Sequence, residues 1–117
     1  MIKRVAYFEG TIAAGREVEF HAYVSERLIP LWTRFPGALC VETLREVESD
    51  EGRPSYPLVL TITYPSRAAM EAALQSSVRA ESREVTQGLL AMLKGRVTHA
   101  IYEAADHVLT PHHAAPD

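Results

Sequence analysis

The spacing of hydrophobic residues changes repeatedly along this chain, from the alternation typical of a strand to the three- and four-residue spacing of a helix face. The segments with strand character are residues 3–12, 38–48, 56–64 and 96–105. The segments with helix character are residues 16–35, 66–76 and 80–93, with Gly95 expected to end the last. This order, β-α-β-β-α-β, predicts a ferredoxin-like α+β fold, in which a four-stranded antiparallel sheet carries the helices on one face.

The first helical segment combines a continuous apolar face with a disruptive proline. The residues of this face follow one another at three- or four-residue intervals: Phe20, Val24, Leu28, Leu31 and Phe35. Pro30 has no backbone N–H, and its ring clashes with the carbonyl group of Glu26 in a regular helix, so we expect a kink there. Pro36 and Gly37 then favour an end to the helix.

Both faces of the predicted sheet carry apolar side chains. The apolar strand residues with equally apolar neighbours are Val5, Tyr7, Leu39, Val41, Leu58, Leu60, Ile62 and Ile101. Helices cover only one face of such a sheet, and a large exposed apolar patch is unusual on a monomer. A second copy of the same sheet is the simplest structure that covers the other face. We therefore predict a homodimer through the open sheet face, which makes a dimeric α+β barrel.

One domain accounts for most of the 117 residues, since 47% hydrophobic and 23% charged residues are ordinary for a globular protein with one core. We expect this domain to span 1–105, and 106–117 to form a flexible C-terminal tail. His107, His112 and His113 lie in that tail, where we expect no physiological metal site.

The connection between the second and third strands is polar. Residues 49–55 carry charges, Gly52 and Pro54, and lack apolar side chains that would anchor them. We expect the two strands to form a hairpin with a mobile connection that a protease cleaves first.

Charge and motif content argue against several classes of function. The net charge is −3 and the basic residues are scattered, so we expect no nucleic-acid partner. No segment has the length and hydropathy of a membrane span or signal peptide, so we expect a cytoplasmic protein. Without a glycine-rich phosphate loop, a G-x-S-x-G elbow or an H-E-x-x-H helix, we predict no cofactor. Cys40, the single cysteine, lies in an apolar run and is expected to be a buried thiol.

His99 is the strongest candidate for a catalytic residue. It lies between Val97 and Ile101 on one strand face, where an imidazole needs a hydrogen-bond partner or a cavity. Tyr23, in the first helix, is the second candidate, because it neighbours the inward residues Phe20 and Val24. For both residues ordinary packing is the alternative interpretation. His99 is expected to face a partly enclosed polar niche in or beside a cleft.

Four further side chains are candidates for ligand contact: Tyr7, His21, Trp32 and Tyr64. His21 and Tyr23 lie two positions apart on a helix and point in different directions, so only one of them can face inward. Trp32, beside Pro30, is expected either to line a pocket or to pack in the core or a dimer contact. Tyr7 and Tyr64 belong to strands, where aromatic residues also pack across neighbouring strands.

The run from Phe20-His21-Ala22-Tyr23 through Leu28-Ile29-Pro30-Leu31 to Phe35-Pro36-Gly37 resembles the first helix of the EthD-like branch of the dimeric α+β barrel superfamily. The segment 63–76 looks like the following strand-to-helix junction of such proteins. The resemblance implies a ligand cleft between sheet and helices, in a superfamily that includes cofactor-independent monooxygenases, cyclases, isomerases and proteins without demonstrated activity. Leu28 stands where the family motif has histidine, and leucine cannot transfer a proton or bind a metal.

Two functions remain open. In the first, the chain binds or converts a small apolar or aromatic molecule in the cleft and uses His99 or a tyrosine for proton transfer. In the second, it is a non-catalytic dimeric structural or accessory module. A cavity of about 300 Å³ or more reached by His99 or Tyr23 favours the first, and a filled core favours the second.

Overall fold

The computed structural model describes residues 1–111 and shows the predicted element order. The strands are β1 Ile2–Ile12, β2 Cys40–Arg45, β3 Leu58–Tyr64 and β4 Leu93–Glu103. The helices are α1 Glu17–Tyr23, α2 Ile29–Trp32, α3 Arg67–Leu74 and α4 Ser77–Leu90. The sheet order is β2-β3-β1-β4, and every neighbouring pair is antiparallel. This confirms the ferredoxin-like α+β fold.

The strand registers divide the sheet into two faces. Ala6 of β1 lies opposite Leu60 of β3 and His99 of β4, so these three side chains share the face that the helices cover. The core lies between this face and the helices. Its largest fully buried side chains are Tyr64, Phe8, Phe20, Leu28, Leu58, Met70 and Leu89.

The predicted long helix is divided by a π-helical turn, Val24–Leu28, which connects α1 to α2. Pro30 is in the first turn of α2, where a missing backbone N–H is tolerated. The disturbance expected at Pro30 therefore takes the form of a widened turn before it, a common cause of helix bending. The helix also ends at Trp32, earlier than the expected residue 35.

Serine side chains begin the two later helices. Ser66 Oγ accepts a hydrogen bond from the Ala69 N–H at 3.1 Å, which caps the first turn of α3. Ser76 Oγ accepts one from the Arg79 N–H at 3.3 Å, so α4 begins at Ser77, before the expected residue 80. The residues between the two expected helical segments, 77–79, thus belong to the first turn of α4.

Gly95 does not end a helix, contrary to the sequence-based expectation. It lies inside β4, directly opposite Gly10 of β1. A Cβ atom on Gly95 would overlap the carbonyl oxygen of Glu9, and one on Gly10 would overlap the carbonyl oxygen of Lys94. The close approach of the two backbones requires glycine at both positions.

The connection between β2 and β3 folds back on Glu46. The Glu46 carboxylate accepts hydrogen bonds from Ser55 Oγ at 2.9 Å and from the Tyr56 N–H at 3.3 Å. The Arg53 guanidinium lies 3.6 Å from the same carboxylate. Strand β2 therefore ends at Arg45, before the expected residue 48. The mobility of the connection 49–55 stays a prediction.

The open sheet face is more polar than the sequence suggested. The uncharged residues Val5, Tyr7 and Leu44 share it with Glu42 and Arg96, because the registers place all five on the side opposite the helices. Charged side chains on this face leave smaller apolar areas than a uniformly apolar surface would have.

Cys40 is exposed, so the expectation of a buried thiol is wrong for the single chain. The reason is its position: it starts the edge strand β2 and faces the open side of the sheet.

Beyond β4, the Ala104 N–H donates to the Met1 carbonyl oxygen at 2.9 Å, and Val108 and Leu109 are exposed. The predicted domain limit at 105 and the flexible tail 106–117 stay predictions, and His112 and His113 lie outside the described residues. In the described part of the chain, no helix has the length and apolar character needed to cross a membrane.

Candidate functional site

A cavity of about 380 Å³ lies between the helix-covered sheet face and the helices α2 and α4. Residues of β1, β3 and β4 form its floor, with Phe8 and His99 among them. Trp32 of α2 and Phe35, just beyond that helix, line it together with one side of α4. Its volume falls in the range of small-molecule sites and exceeds the volume of about 300 Å³ that favours the ligand-binding function.

The apolar part of this cavity is built from core residues. Phe8 and Trp32 are each 2% exposed and Phe35 is 7% exposed, so their positions are fixed by packing. Leu60 and Ile62 of the central strand β3 continue the apolar floor. This surface can hold an apolar or aromatic body of a ligand without rearrangement of the fold.

The polar part of the cavity is cationic. Arg4 reaches it from β1, and Arg79 and Arg83 reach it from successive turns of α4. Burial, and then the charge of Arg79, lower the pKa of Arg4; burial, and then Arg83, lower the pKa of Arg79. A guanidinium remains protonated at ordinary pH, so these shifts indicate desolvated, mutually repelling charges.

His99 joins the arginines at the cavity. Desolvation, followed by the charges of Arg4, Arg79 and Arg83, lowers the pKa of His99 to about 4. The side chain is nevertheless exposed in the single chain, so water offsets part of the desolvation. The three positive charges are sufficient by themselves to lower the pKa of His99. His99 is therefore neutral near pH 7 and can accept a hydrogen bond or a proton.

Trp32 and His99 are the sequence-predicted site residues that the structure brings together at this cavity. Tyr23 does not line it. The Tyr23 hydroxyl donates to the Val85 carbonyl oxygen at 2.7 Å, and its ring packs over Gly88, so the phenol joins two helices. The Arg27 guanidinium lies 5.4 Å from the centre of that ring.

The other predicted contact residues lie elsewhere. Tyr7 is on the open sheet face, where its hydroxyl is 2.7 Å from the hydroxyl of Tyr102. His21 packs edge-to-face on Phe20 with ring centres 5.2 Å apart, and burial, then Arg45, lower its pKa. Tyr64 is 1% exposed in the core and is not among the residues that line the cavity.

Leu28, which stands in the position of the family histidine, is fully buried and does not reach the cavity. It provides packing and no proton-transfer group. Within residues 1–111, no three or more His, Cys, Asp or Glu side chains cluster as metal ligands.

The sequence interpretation missed the three arginines. Arg4 shares the strand parity of Ala6 and Phe8, which would have placed it on the helix-covered face. Arg79 and Arg83 are four residues apart, on the same side of α4 as Ser82 and Thr86. The spacing of Arg79 and Arg83 carried this signal, but the last helical segment was expected to begin at residue 80, which left Arg79 outside it.

A second, smaller depression of about 170 Å³ lies on the open sheet face. Tyr7, Tyr56 and Val59 line it together with Arg53 of the connecting loop. The rings of Tyr7 and Tyr56 meet edge-to-face at 5.6 Å. Its volume, less than half that of the first cavity, makes it the weaker candidate.

The fold is shared with solved structures of small enzymes and related proteins. An EthD family protein from Bacillus halodurans aligns with a TM-score of 0.75 and 20% identity, over 90% of this chain and 99% of that one. SnoaB, a cofactor-independent oxygenase from Streptomyces nogalater, aligns with a TM-score of 0.63 and 20% identity, over 92% and 95%. An antibiotic biosynthesis monooxygenase aligns with a TM-score of 0.60 and 17% identity, over 91% and 100%.

These similarities, together with the sheet order, show that the chain shares its β-α-β-β-α-β fold with these proteins. The predicted EthD-like resemblance is confirmed at the level of the fold. No family model matches the sequence, and no curated protein matches it.

Proposed function

We propose that this chain binds a small apolar or aromatic molecule in the cavity between sheet and helices, with His99 as the group that accepts a proton from it. The observation that carries the proposal is the cavity of about 380 Å³ lined by both Trp32 and His99. A filled core between sheet and helices would have favoured a non-catalytic module instead. One protein with this fold is described as a cofactor-independent oxygenase, so the fold supports chemistry on small organic molecules without a cofactor.

The role of His99 follows from its charge state. A bound O–H or acidic C–H group donates a hydrogen bond to the neutral imidazole, which is a weak base at a pKa of about 4. Transfer of the proton to His99 therefore depends on the surrounding guanidinium groups, which stabilise the anion that remains. General-base assistance contributes about 10²- to 10⁴-fold in rate when the pKa of the base lies near the operating pH, and the low pKa of His99 places its contribution toward the lower end of that range. Tyr23 is removed from the proposed chemistry because its hydroxyl is held by Val85.

Phenol is a suitable probe, because it has an aromatic body and one O–H donor. Trp32 is the single tryptophan and lines the cavity, so its fluorescence reports binding there. We expect phenol to change this fluorescence and His99→Ala to weaken the binding with little change in Tm, since His99 is exposed. His21→Ala is the matched control: it removes a packed imidazole outside the cavity and should lower Tm without changing affinity.

Unchanged phenol binding in His99→Ala, together with a large loss of Tm, would remove His99 from the site. A wild-type protein whose Trp32 fluorescence does not respond to phenol at any soluble concentration would contradict the proposed cavity function as a whole.

We also propose that the protein is a homodimer formed through the open sheet face. Leu44 is 48% exposed and Tyr102 is 47% exposed on this face, and Cys40 is exposed on the same face. A partner sheet would cover these residues. Light scattering at micromolar concentration should give twice the 13.0 kDa mass of the chain, and a mass of 13.0 kDa would contradict the dimer.

A further inference from the structure

Three guanidinium groups meet at one cavity without a carboxylate among them. Among residues 1–111, no aspartate or glutamate lines the cavity. The ion pairs within the same residues involve Arg16, Arg53, Arg67 and Arg96, none of which is a cavity arginine. The cavity therefore has a concentrated positive charge that the described part of the fold does not balance.

This arrangement is unfavourable in the empty protein. Burial and then the charge of Arg79 lower the pKa of Arg4, and burial and then the charge of Arg83 lower the pKa of Arg79. Arg79 is therefore repelled from both sides, and Arg4 and Arg79 are partly desolvated. One Arg79 N–H donates to the Leu74 carbonyl oxygen at 3.3 Å, which leaves its remaining donors available. An anion in the cavity would relieve the repulsion and accept those donors.

The two sides of the cavity specify two parts of a ligand. Planar guanidinium groups match the two oxygens of a carboxylate and bind them in pairs. Phe8, Trp32 and Phe35 provide the opposite, apolar side, where Trp32 and Phe8 are almost fully buried. A molecule that satisfies both sides has an apolar or aromatic body and an acidic group.

We infer that the cavity selects an organic acid, with its carboxylate bound by Arg79, Arg83 and Arg4 and its apolar body against Trp32. This rests on the proposed ligand-binding function of the same cavity and adds the charge of the ligand. His99 then lies beside the acid group as a neutral hydrogen-bond acceptor, placed to take a proton from a second polar group of the ligand.

Benzoate and benzamide test the inference, because they have nearly the same size and shape and differ in charge. Binding is measured by calorimetry, and by Trp32 fluorescence excited at the red edge of indole absorption, where neither probe absorbs. We expect benzoate to bind about ten- to a hundredfold more tightly than benzamide, the usual range for a charged hydrogen-bonded pair. Added salt should weaken benzoate binding only.

Substitution of the arginines identifies the charge that is responsible. Arg83→Gln and Arg79→Gln should each weaken benzoate binding about tenfold or more and leave benzamide binding unchanged. Arg83 is exposed, so Arg83→Gln should retain the wild-type Tm and keep the test valid if Arg79→Gln lowers stability. Arg67→Gln is the control, because Arg67 is an exposed α3 residue paired with Glu71 outside the cavity.

Two outcomes overturn the inference in different ways. If benzamide binds as tightly as benzoate, or if Arg83→Gln and Arg67→Gln behave alike towards benzoate, the cavity binds apolar molecules without selecting acids, and only this inference fails. If phenol leaves Trp32 fluorescence unchanged at any soluble concentration, the proposed function fails, and this inference fails with it.

Discussion

The titration of His99 is the sharpest consequence of the cationic cavity. Its pKa is lowered from 6.5 to about 4, by desolvation first and then by Arg4, Arg79 and Arg83. All four causes act in the same direction, and Arg83 is the smallest of them. Arg83→Gln should therefore raise the His99 pKa only slightly, since burial, Arg4 and Arg79 still lower it.

The assay is NMR of the imidazole C–H signals over a range of pH. The sequence contains five histidines, so His99→Gln assigns the signal of His99 and His21→Gln that of His21, whose pKa is also lowered. We expect the His99 signal to remain that of a neutral imidazole down to pH 5. A His99 that titrates at 6.5 or higher would refute the placement of the arginines around it.

The lowered pKa of His99 also determines whether the protein gains or loses stability as the pH falls. The folded-state pKa of His99 is about 4, below the value of about 6.5 in an unfolded chain. As pH falls from 6.5 towards 4, the unfolded chain binds the proton first, and the folded state loses stability. The Tm of the wild type should therefore fall more steeply between pH 7 and pH 5 than that of His99→Gln. Because His99 is exposed, the difference should be smaller than the full pKa difference implies.

Three further predictions concern the fold. Gly95→Ala should destabilise the protein severely in thermal melts, because the added Cβ atom would overlap backbone atoms of β1. Gly52→Ala should cost only about 1 kcal/mol, because Gly52 has open space around it and a φ of 83°. Equal costs for the two variants would contradict the pairing of β1 with β4. Tyr23→Phe should lower the free energy of unfolding by about 1 kcal/mol through loss of the bond to Val85, with phenol affinity unchanged. Limited proteolysis should cleave 49–55 first, and first cleavage within β3 would contradict the strand assignment.

Much of the fold was predictable because strands and helices bury side chains with different periods. Short apolar runs of strand-favouring residues in β1 and β3 and the helical spacing from Phe20 to Leu31 located these elements to within a few residues. The ends were less predictable, since they depend on contacts between distant residues. Gly95 illustrates this: its role is set by Glu9 and Gly10 on another strand, which local sequence does not reveal.

The candidate site was predictable only in part, for a similar reason. An imidazole among apolar strand residues pointed to His99, and the structure places it at the cavity. The arginines belong to β1 and α4, which are distant in sequence, and only the packing of α4 over the sheet brings them together. Tyr23 was predicted as a site residue because its neighbours in the first helix face inward. Its hydroxyl instead donates a hydrogen bond to the Val85 carbonyl oxygen of α4.

The location of a bound small molecule tests the central claim most directly. In a ¹⁵N NMR titration with phenol, the account predicts that the largest shifts fall on the Trp32 indole N–H and on the amides of Thr86 and His99, all of which line the cavity. Shifts confined to Tyr7, Tyr56 and their neighbours in the open-face depression, or no shifts at saturating phenol, would contradict it.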